Sequence, residues 1–185
     1  MKVAILVGSL REASFTRKIA KAVSGMFPQE YEVEFVEIGD LPLYDQDYDD
    51  KDRVPEEYTR FRRKMNGMDA VLFATPEYNR SVPAVLKNSL DVGSRPYGSS
   101  VWDGKPAAVV SVSPGAIGGF GANHHLRQSL VFLNMPVLQQ PEAYIGRVMD
   151  ILDDDGKISN VQSQEFLQQV VDAFVALIKH YPINK

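Results

Sequence analysis

The chain has 185 residues, of which 44% are hydrophobic and 24% charged, as in an ordinary soluble globular domain. Its formal net charge of −4 argues against a general nucleic-acid binder, because phosphate contacts need clustered Lys and Arg side chains. Cysteine is absent, which excludes disulfides, thiolate metal sites, iron–sulfur clusters and cysteine nucleophiles.

The chain opens on a short apolar run, Lys2–Val7, which predicts a strand buried on both faces. This run is too short for a signal peptide or a membrane span, so we expect a cytoplasmic protein with no membrane partner. Further strands are predicted at Tyr31–Ile38, Asp69–Thr75 and Pro106–Val112. A fifth strand is expected at Pro136–Leu138 or in the region Ala143–Ile145.

Helical patterns separate these strands. Helices are expected from Ser14, over Pro55–Met68, after Ser81, from about Ala122 to Leu133, and after Ser159. Ser81 is the predicted cap of its helix, with Pro83 tolerated in the first turn. Ser159 and Gln162 form a predicted capping box before the last helix.

The alternation of strands and helices predicts an α/β fold in a single domain over residues 1–185. The expected architecture is a flavodoxin-like three-layer sandwich, a five-stranded parallel sheet with helices on both faces. Ligands of such sheets lie beyond the carboxyl ends of the strands, at a switch point in the strand order. The loops after the first, third and fourth strands are therefore the candidate binding loops.

The loop after the first strand, residues 8–16, is rich in hydroxyl groups and opens a helix. Backbone N–H groups at a helix N-terminus attract anions, and the Arg11 guanidinium suits phosphate. Hydroxyl groups are added by Ser9, Ser14 and Thr16. The loop lacks the G-x-G-x-x-G of dinucleotide-binding proteins and the phosphate loop of nucleoside triphosphatases. It suits a terminal monophosphate, as on FMN; a helix cap followed by a solvated arginine explains the residues equally well.

The other two loops carry weaker signals. Residues 76–81 offer backbone N–H groups and a polar side chain to the edge of a planar heterocycle, although a turn with a helix cap explains them slightly better. Residues 113–121 contain four glycines, which let the backbone approach a ligand closely. Because all three loops fall at strand ends of one sheet, their combination favours a ligand site.

Acidic and histidine clusters do not form a convincing metal site, and we predict none. The segment Asp153–Ile158 is similar to a calcium loop, but the first and last ligand positions fall on Ile151 and Gln162, which are not acidic. His124 and His125 are adjacent, whereas metal ligation from one helix face needs a spacing of four. A role on the substrate side for one of these histidines stays open.

Three motifs together resemble the NADPH-dependent FMN reductase family. They are G-S-L-R-x-x-S-F-T at 8–16, P-E-Y-N at 76–79 and S-P-G-x-x-G-G at 113–119. The similarity extends through residues 87–91, 94–96 and 133–136, and so covers nearly the whole chain in the expected order. The family includes bacterial quinone, chromate and azo-dye reductases of flavodoxin-like fold.

The resemblance implies which residues contact the cofactor. The FMN phosphate is expected to be held by Ser9, Arg11, Ser14, Phe15 and Thr16. The isoalloxazine is expected to be lined by Pro76, Glu77, Tyr78 and Asn79, and approached from its other side by Ser113 and Gly115. No catalytic side chain is assigned, because the cofactor carries the chemistry.

The implied activity is that of an NAD(P)H-dependent oxidoreductase. Hydride passes from NADPH or NADH to bound FMN and then to a small acceptor, which is a quinone, a flavin, an azo compound or a metal oxyanion. One pocket serves both substrates in turn, so ping-pong kinetics are expected. Relatives of this type are homodimers or homotetramers, and Asp91–Trp102 is the candidate contact between subunits.

Two residues depart from the family pattern. Thr16 stands where many relatives have Asn, and Val92 stands where many have Trp after the Asp of the K-N-x-x-D segment. Two other functions compete with the reductase. A flavodoxin-type electron-transfer protein would carry FMN without oxidising NADPH by itself, although flavodoxins tend to be more acidic. A ligand-free regulatory or interaction domain would have no affinity for phosphate in the first loop.

Overall fold

A five-stranded sheet forms the middle layer of the protein, whose computed structural model describes residues 1–153 and 155–181. The strands are β1 (Lys2–Val7), β2 (Glu32–Phe35), β3 (Ala70–Pro76), β4 (Ala107–Val112) and β5 (Ala143–Ile145). Their order is β2-β1-β3-β4-β5, and every neighbouring pair is parallel. The direction of winding reverses between β1 and β3, which is the switch point of a flavodoxin-like sheet. The predicted fold class is confirmed.

Helices cover both faces of the sheet. They are α1 (Phe15–Ser24), α2 (Gln46–Asp50), α3 (Glu56–Asn66), α4 (Ala84–Gly93), α5 (Phe120–Phe132) and α6 (Val161–His180). Helices α1 and α6 pack on one face, and α3, α4 and α5 pack on the other. Each helix in the described ranges is too short or too polar to cross a lipid bilayer.

Strand β1 shows how the pattern of residues builds these layers. Its side chains alternate between the two faces, as the strand period of two requires. Val3, Ile5 and Val7 join the apolar cluster under α1 and α6. Ala4 and Leu6 join the cluster under α3, α4 and α5. A strand with both faces buried in this way has no polar positions, which explains the continuous apolar run in the sequence.

The Val92 departure from the family pattern lies inside the core. Its side chain is fully buried in the cluster under α3, α4 and α5, which also contains Trp102. The backbone carbonyl of Val92 accepts a hydrogen bond of 2.9 Å from Nε of Arg62. The departure from the family pattern is therefore at a core residue of α4.

The start of α4 differs from its prediction. The helix begins at Ala84, and Pro83 occupies the capping position with φ −57°, so Ser81 is not the cap. Proline is favoured at a helix start because its fixed φ suits the first turn. The Ser81 hydroxyl instead lies 3.0 Å from Nδ1 of His125 on α5. Ser81 thus connects the loop after β3 to helix α5.

The cap of α6 was also predicted one residue too early. Asn160 is the capping residue, and its Oδ1 accepts a hydrogen bond of 2.7 Å from the Ser163 N–H. The Ser159 hydroxyl donates to the carbonyl of Ile151 at 2.8 Å and so belongs to the preceding turn. Asparagine and serine cap helices about equally well, so composition alone does not separate the two positions.

We expect Asn160→Ala to lower the free energy of unfolding by about 1 kcal/mol, because one N–H of the first turn of α6 loses its acceptor. Asn160→Asp is the matched control, since aspartate keeps the acceptor and suits the positive end of the helix dipole. Urea unfolding of both variants measures the difference. Equal stability of the alanine and aspartate variants would show that Asn160 does not act as the cap.

Candidate active site

The three predicted loops meet at one edge of the sheet. A Cβ atom added to Gly8 would lie 3.3 Å from Cδ of Pro76, so the first loop touches the second. A Cβ added to Gly121 would lie 2.8 Å from the carbonyl oxygen of Arg80, so the second loop touches the third. Glycine at both positions lets the backbones approach this closely. The loops after β1, β3 and β4 therefore form one continuous surface.

The first loop presents backbone N–H groups that are not used inside the protein. Ser14 caps α1, and its Oγ accepts a hydrogen bond of 3.1 Å from the Arg17 N–H. The N–H groups of Ser9, Leu10, Arg11, Phe15 and Thr16 have no acceptor among the residues that the structure describes. These groups lie at the positive end of the α1 dipole, where an anion is favoured.

Two hydroxyl-bearing residues of the same loop are almost completely buried as whole residues. Ser9 and Thr16 are each 3% exposed, and within residues 1–153 and 155–181 neither hydroxyl has a hydrogen-bond partner. Arg11 is exposed and forms no ion pair with a described side chain. Hydroxyl groups without a protein partner are available to donate to a ligand, and phosphate offers acceptor oxygens to such donors. The donor set of this loop thus fits the phosphate of FMN.

The second loop is a tight turn between β3 and α4. Tyr78 and Ser81 exchange two backbone hydrogen bonds of 3.1 and 3.0 Å. The central residues Asn79 and Arg80 have φ of 51° and 65°, as in a type I′ turn. Asn79 tolerates this conformation because its short polar side chain can bond locally. The turn leaves Tyr78 and Asn79 exposed, and Pro76 ends β3 beneath them.

The Glu77 side chain is used inside the protein. Its carboxylate accepts a hydrogen bond of 3.1 Å from the Ala122 N–H at the start of α5. A carboxylate at this position offsets the positive end of the helix dipole and joins the second loop to the third. Arg80 adds an ion pair of 3.4 Å to the same carboxylate. The backbone of Glu77, and not its carboxylate, is therefore the part available to line a flavin ring.

The third loop lies directly on β5. Gly118 and Gly119 have φ of 60° and 75°, and a Cβ on Gly118 would lie 2.5 Å from the carbonyl carbon of Tyr144. Ser113 stabilises the conformation at the start of the loop, since its Oγ accepts a hydrogen bond of 3.0 Å from the Gly115 N–H. Gly115 itself is exposed. Ser113 and Gly115 thus face the same sheet edge as the first two loops.

Each of the three loops exposes a large apolar side chain. The exposed fractions are 56% for Leu10, 46% for Tyr78, 57% for Ile117 and 51% for Phe120. Clusters of exposed apolar groups at the edge of a soluble domain mark places where a ligand or partner binds. This surface lies next to the first loop, whose hydrogen-bond donors are not used inside the protein. Together they suit a planar heterocycle that carries a phosphate.

The sequence did not reveal a ring cluster beside the third loop. Phe120 and His124 have ring centroids 4.2 Å apart, and Phe120 and Tyr144 are 5.4 Å apart. Nε2 of His124 lies 2.9 Å from the Tyr144 hydroxyl. Burial and the neighbouring Glu142 raise the pKa of Tyr144 to about 12, so the phenol keeps its proton. The adjacent histidines were the only signal of this cluster.

Comparison with known proteins agrees with this geometry. The family model for NADPH-dependent FMN reductase matches residues 1–150. A quinone reductase of Pseudomonas putida is 58% identical over 96% of this chain and 94% of its own length. A 2-hydroxy-1,4-benzoquinone reductase of a Burkholderia species is 42% identical over 97% of both chains.

A solved structure extends the similarity to three dimensions. FerB of Paracoccus denitrificans, a flavoenzyme NAD(P)H:(acceptor) oxidoreductase, superimposes with a TM-score of 0.92. It is 39% identical, and the match covers 98% of this chain and 99% of FerB. Sequence motifs, strand order and loop geometry therefore agree, and the chain belongs to the NADPH-dependent FMN reductase family.

Proposed function

We propose that this protein is an FMN-dependent oxidoreductase that uses NADPH or NADH to reduce a small acceptor, with quinones as the preferred class. The observation that carries the proposal is the set of unused donors in the first loop, at the sheet edge where exposed apolar side chains of three loops meet. Two of the relatives named above reduce quinones, which supports the choice of acceptor class.

The first loop is assigned to the FMN phosphate. Ser9, Ser14, Phe15 and Thr16 contribute backbone N–H or hydroxyl groups, and Arg11 contributes a positive charge from the rim. Thr16 stands where many relatives have Asn, and its hydroxyl group can still donate a hydrogen bond. The loop therefore binds the dianionic end of the cofactor and sets its position along the sheet edge.

The second and third loops are assigned to the flavin ring. Pro76, Tyr78, Asn79 and the backbone of Glu77 would orient the ring from one side, and the other side would be approached by Ser113 and Gly115. When bound, FMN supplies two-electron hydride chemistry between a nicotinamide and an acceptor. The protein's own residues bind the cofactor, hold its plane and keep one apolar surface open for the two substrates in turn.

This function predicts turnover by the protein alone. Purified, FMN-loaded protein should oxidise NADPH or NADH when a quinone is present and no partner reductase is added. Initial rates at several quinone concentrations should give parallel double-reciprocal lines, because both substrates use one site in turn. Intersecting lines would contradict the shared site. FMN-loaded protein that fails to oxidise either nicotinamide would instead be a flavodoxin-type electron carrier.

We also propose that residues 1–185 form one domain and that the protein is a homodimer or homotetramer in the cytoplasm. One sheet borders both apolar clusters, which supports a single domain. Tyr97 is 93% exposed and Phe132 is 87% exposed, and both line a cavity of about 440 Å³ at the end of α5. A second copy covering this face would bury them. Within the segment Asp91–Trp102, Trp102 itself is directed into the core.

A further inference from the structure

The turn in the second loop is bound to helix α5 on both sides. Before the turn, the Glu77 carboxylate accepts a hydrogen bond of 3.1 Å from the Ala122 N–H. After the turn, the Ser81 hydroxyl lies 3.0 Å from Nδ1 of His125. Two backbone hydrogen bonds between Tyr78 and Ser81 close the turn between these contacts. The second loop therefore has a fixed position relative to α5.

Helix α5 depends on the second loop for a capping side chain. Its own capping residue is Gly119, which has no side chain to accept a hydrogen bond, and its first turn contains no acidic residue. The Glu77 carboxylate supplies the acceptor at the positive end of the helix dipole. The Glu77 side chain is 12% exposed, so water competes weakly for its oxygens. A hydrogen bond to a carboxylate is also stronger than one between neutral groups.

Gly121 lets the second loop lie directly on α5. A Cβ atom added to this residue would lie 2.8 Å from the carbonyl oxygen of Arg80 and 2.9 Å from Oε2 of Glu77. Gly121 is part of the helix, so glycine is needed here for the close contact and not for an unusual backbone conformation. The backbone at Gly121 and the carboxylate of Glu77 thus meet in one tightly packed contact.

The same turn presents backbone donors that the protein does not use. Within residues 1–153 and 155–181, the N–H groups of Glu77, Asn79 and Arg80 have no acceptor. The edge of a flavin ring offers carbonyl oxygens and ring nitrogens to such donors. Hydrogen bonds weaken steeply when distance or angle departs from the optimum. The position in which α5 holds the turn therefore decides how well these donors can meet the ring.

We propose that Glu77 is a positioning residue for the flavin ring, which acts by holding the second loop on α5 through its carboxylate. This inference rests on the proposed function and gives the Glu77 side chain a part in it that is separate from phosphate binding by the first loop. Breaking the hydrogen bond to Ala122, or the close contact at Gly121, should weaken binding of the ring and leave the phosphate contacts in place.

The first test is made on the apoprotein and needs no flavin. Hydrogen exchange at the Ala122 N–H, followed by NMR, reports whether Glu77 holds this group. We expect exchange to become roughly tenfold faster in Glu77→Ala, the value of about one hydrogen bond. Exchange should stay slower in Glu77→Gln, whose side-chain oxygen can accept the same bond. Equal exchange rates in the wild type and Glu77→Ala would overturn the proposal.

The second test measures FMN affinity by fluorescence titration of the apoprotein. Glu77→Ala should bind FMN roughly tenfold more weakly, because the turn is no longer held, and Glu77→Gln should recover most of this affinity. Gly121→Ala should weaken FMN binding to a similar extent. Alanine favours a helix more than glycine does, so this loss would come from the displaced loop and not from a weaker helix. Equal losses in Glu77→Ala and Glu77→Gln, or no loss in either, would overturn the positioning role.

Inorganic phosphate separates the two ends of the cofactor site. Phosphate should compete with FMN for the first loop, with the same inhibition constant in the wild type and in Glu77→Ala, because the substitution leaves that loop unchanged. If phosphate and FMN were weakened in parallel, the substitution would act through general disruption of the site, and the positioning role would be overturned.

Glu56→Ala is the matched control. Glu56 is exposed in the first turn of α3, and its side chain bonds no residue in the described part of the chain. This variant loses the same charge at a helix start and should bind FMN as the wild type does. A loss of affinity as large as that of Glu77→Ala would overturn the proposal. Wild-type apoprotein that binds no FMN would instead overturn the proposed function, and this inference with it.

Discussion

Replacing Ser14 with aspartate is expected to weaken FMN binding by about 100-fold or more, because a carboxylate would stand among the donors of the first loop and repel the phosphate. Ser14 is 2% exposed, so solvent would screen this repulsion poorly. The helix itself should tolerate the change, since aspartate caps helices as well as serine and can accept the same Arg17 N–H. Fluorescence titration of the apoprotein with FMN measures the affinity.

Ser14→Asn is the matched control for this charge. Asparagine has nearly the shape of aspartate and the same capping ability, but it is neutral. We expect the asparagine variant to bind FMN far more tightly than the aspartate variant, and both to unfold at similar urea concentrations. Equal FMN affinities in the two variants would mean that the phosphate lies elsewhere, and would remove the first loop from the cofactor site.

Gly118→Ala is expected to lower the free energy of unfolding by about 3 kcal/mol and to impair FMN binding at the same time. The new Cβ would lie 2.5 Å from the carbonyl carbon of Tyr144 and 2.9 Å from the Ile145 nitrogen. These are backbone atoms of β5, which cannot rotate away as a side chain would. Gly118 also has φ of 60°, a conformation that alanine adopts at a cost. The third loop would have to lift from the sheet edge.

Gly115→Ala separates loop geometry from ligand contact. An added Cβ there would meet only Oγ of Ser113, at 3.4 Å, so the folded protein has room for it. We expect nearly unchanged urea unfolding for this variant, and weaker FMN binding because Gly115 is assigned to the flavin side of the loop. If the Gly118→Ala and Gly115→Ala variants had the same free energy of unfolding, the close contact between the third loop and β5 would be contradicted.

Much of the fold was predictable because it depends on local patterns. Continuous apolar runs predicted β1, β3 and β4 to within a residue or two, since strands buried on both faces have no polar positions. The helix patterns located α1, α3, α5 and α6 because each of these helices buries one apolar stripe against the sheet. The short helix α2 was not predicted, because four of its five residues are polar and a single Tyr48 makes no apolar stripe.

The contacts that join distant segments were not predictable. Asp49 belongs to an acidic stretch of the sequence, and its carboxylate forms a partly buried ion pair with Arg62, at 2.7 and 2.8 Å. Glu77 bonds the start of α5, and Ser81 bonds His125, across more than 40 residues of sequence. Such pairs depend on the tertiary fold, and a single sequence contains no periodicity that records them.

The candidate site likewise has one part that could be predicted from the sequence and one part that could not. The helix start and the donors of the first loop could be located from the sequence because they are adjacent in it, and their role as an anion site stays a prediction. The ring cluster of Phe120, His124 and Tyr144 could not be located in this way, because β5 brings Tyr144 to α5 from 20 residues away. Adjacent histidines on a helix drew attention in the sequence, but only the packing of α5 against β5 distinguishes His124 from His125.

Anaerobic titration of the purified protein with NADPH, followed by its visible absorption spectrum, tests the central claim most directly. We predict a yellow protein whose flavin absorbance falls as NADPH is added and recovers when a quinone is supplied. A protein that stays yellow after excess NADPH and NADH would contradict the oxidoreductase function. A colourless protein that shows no spectral or fluorescence change with added FMN would contradict the cofactor site itself.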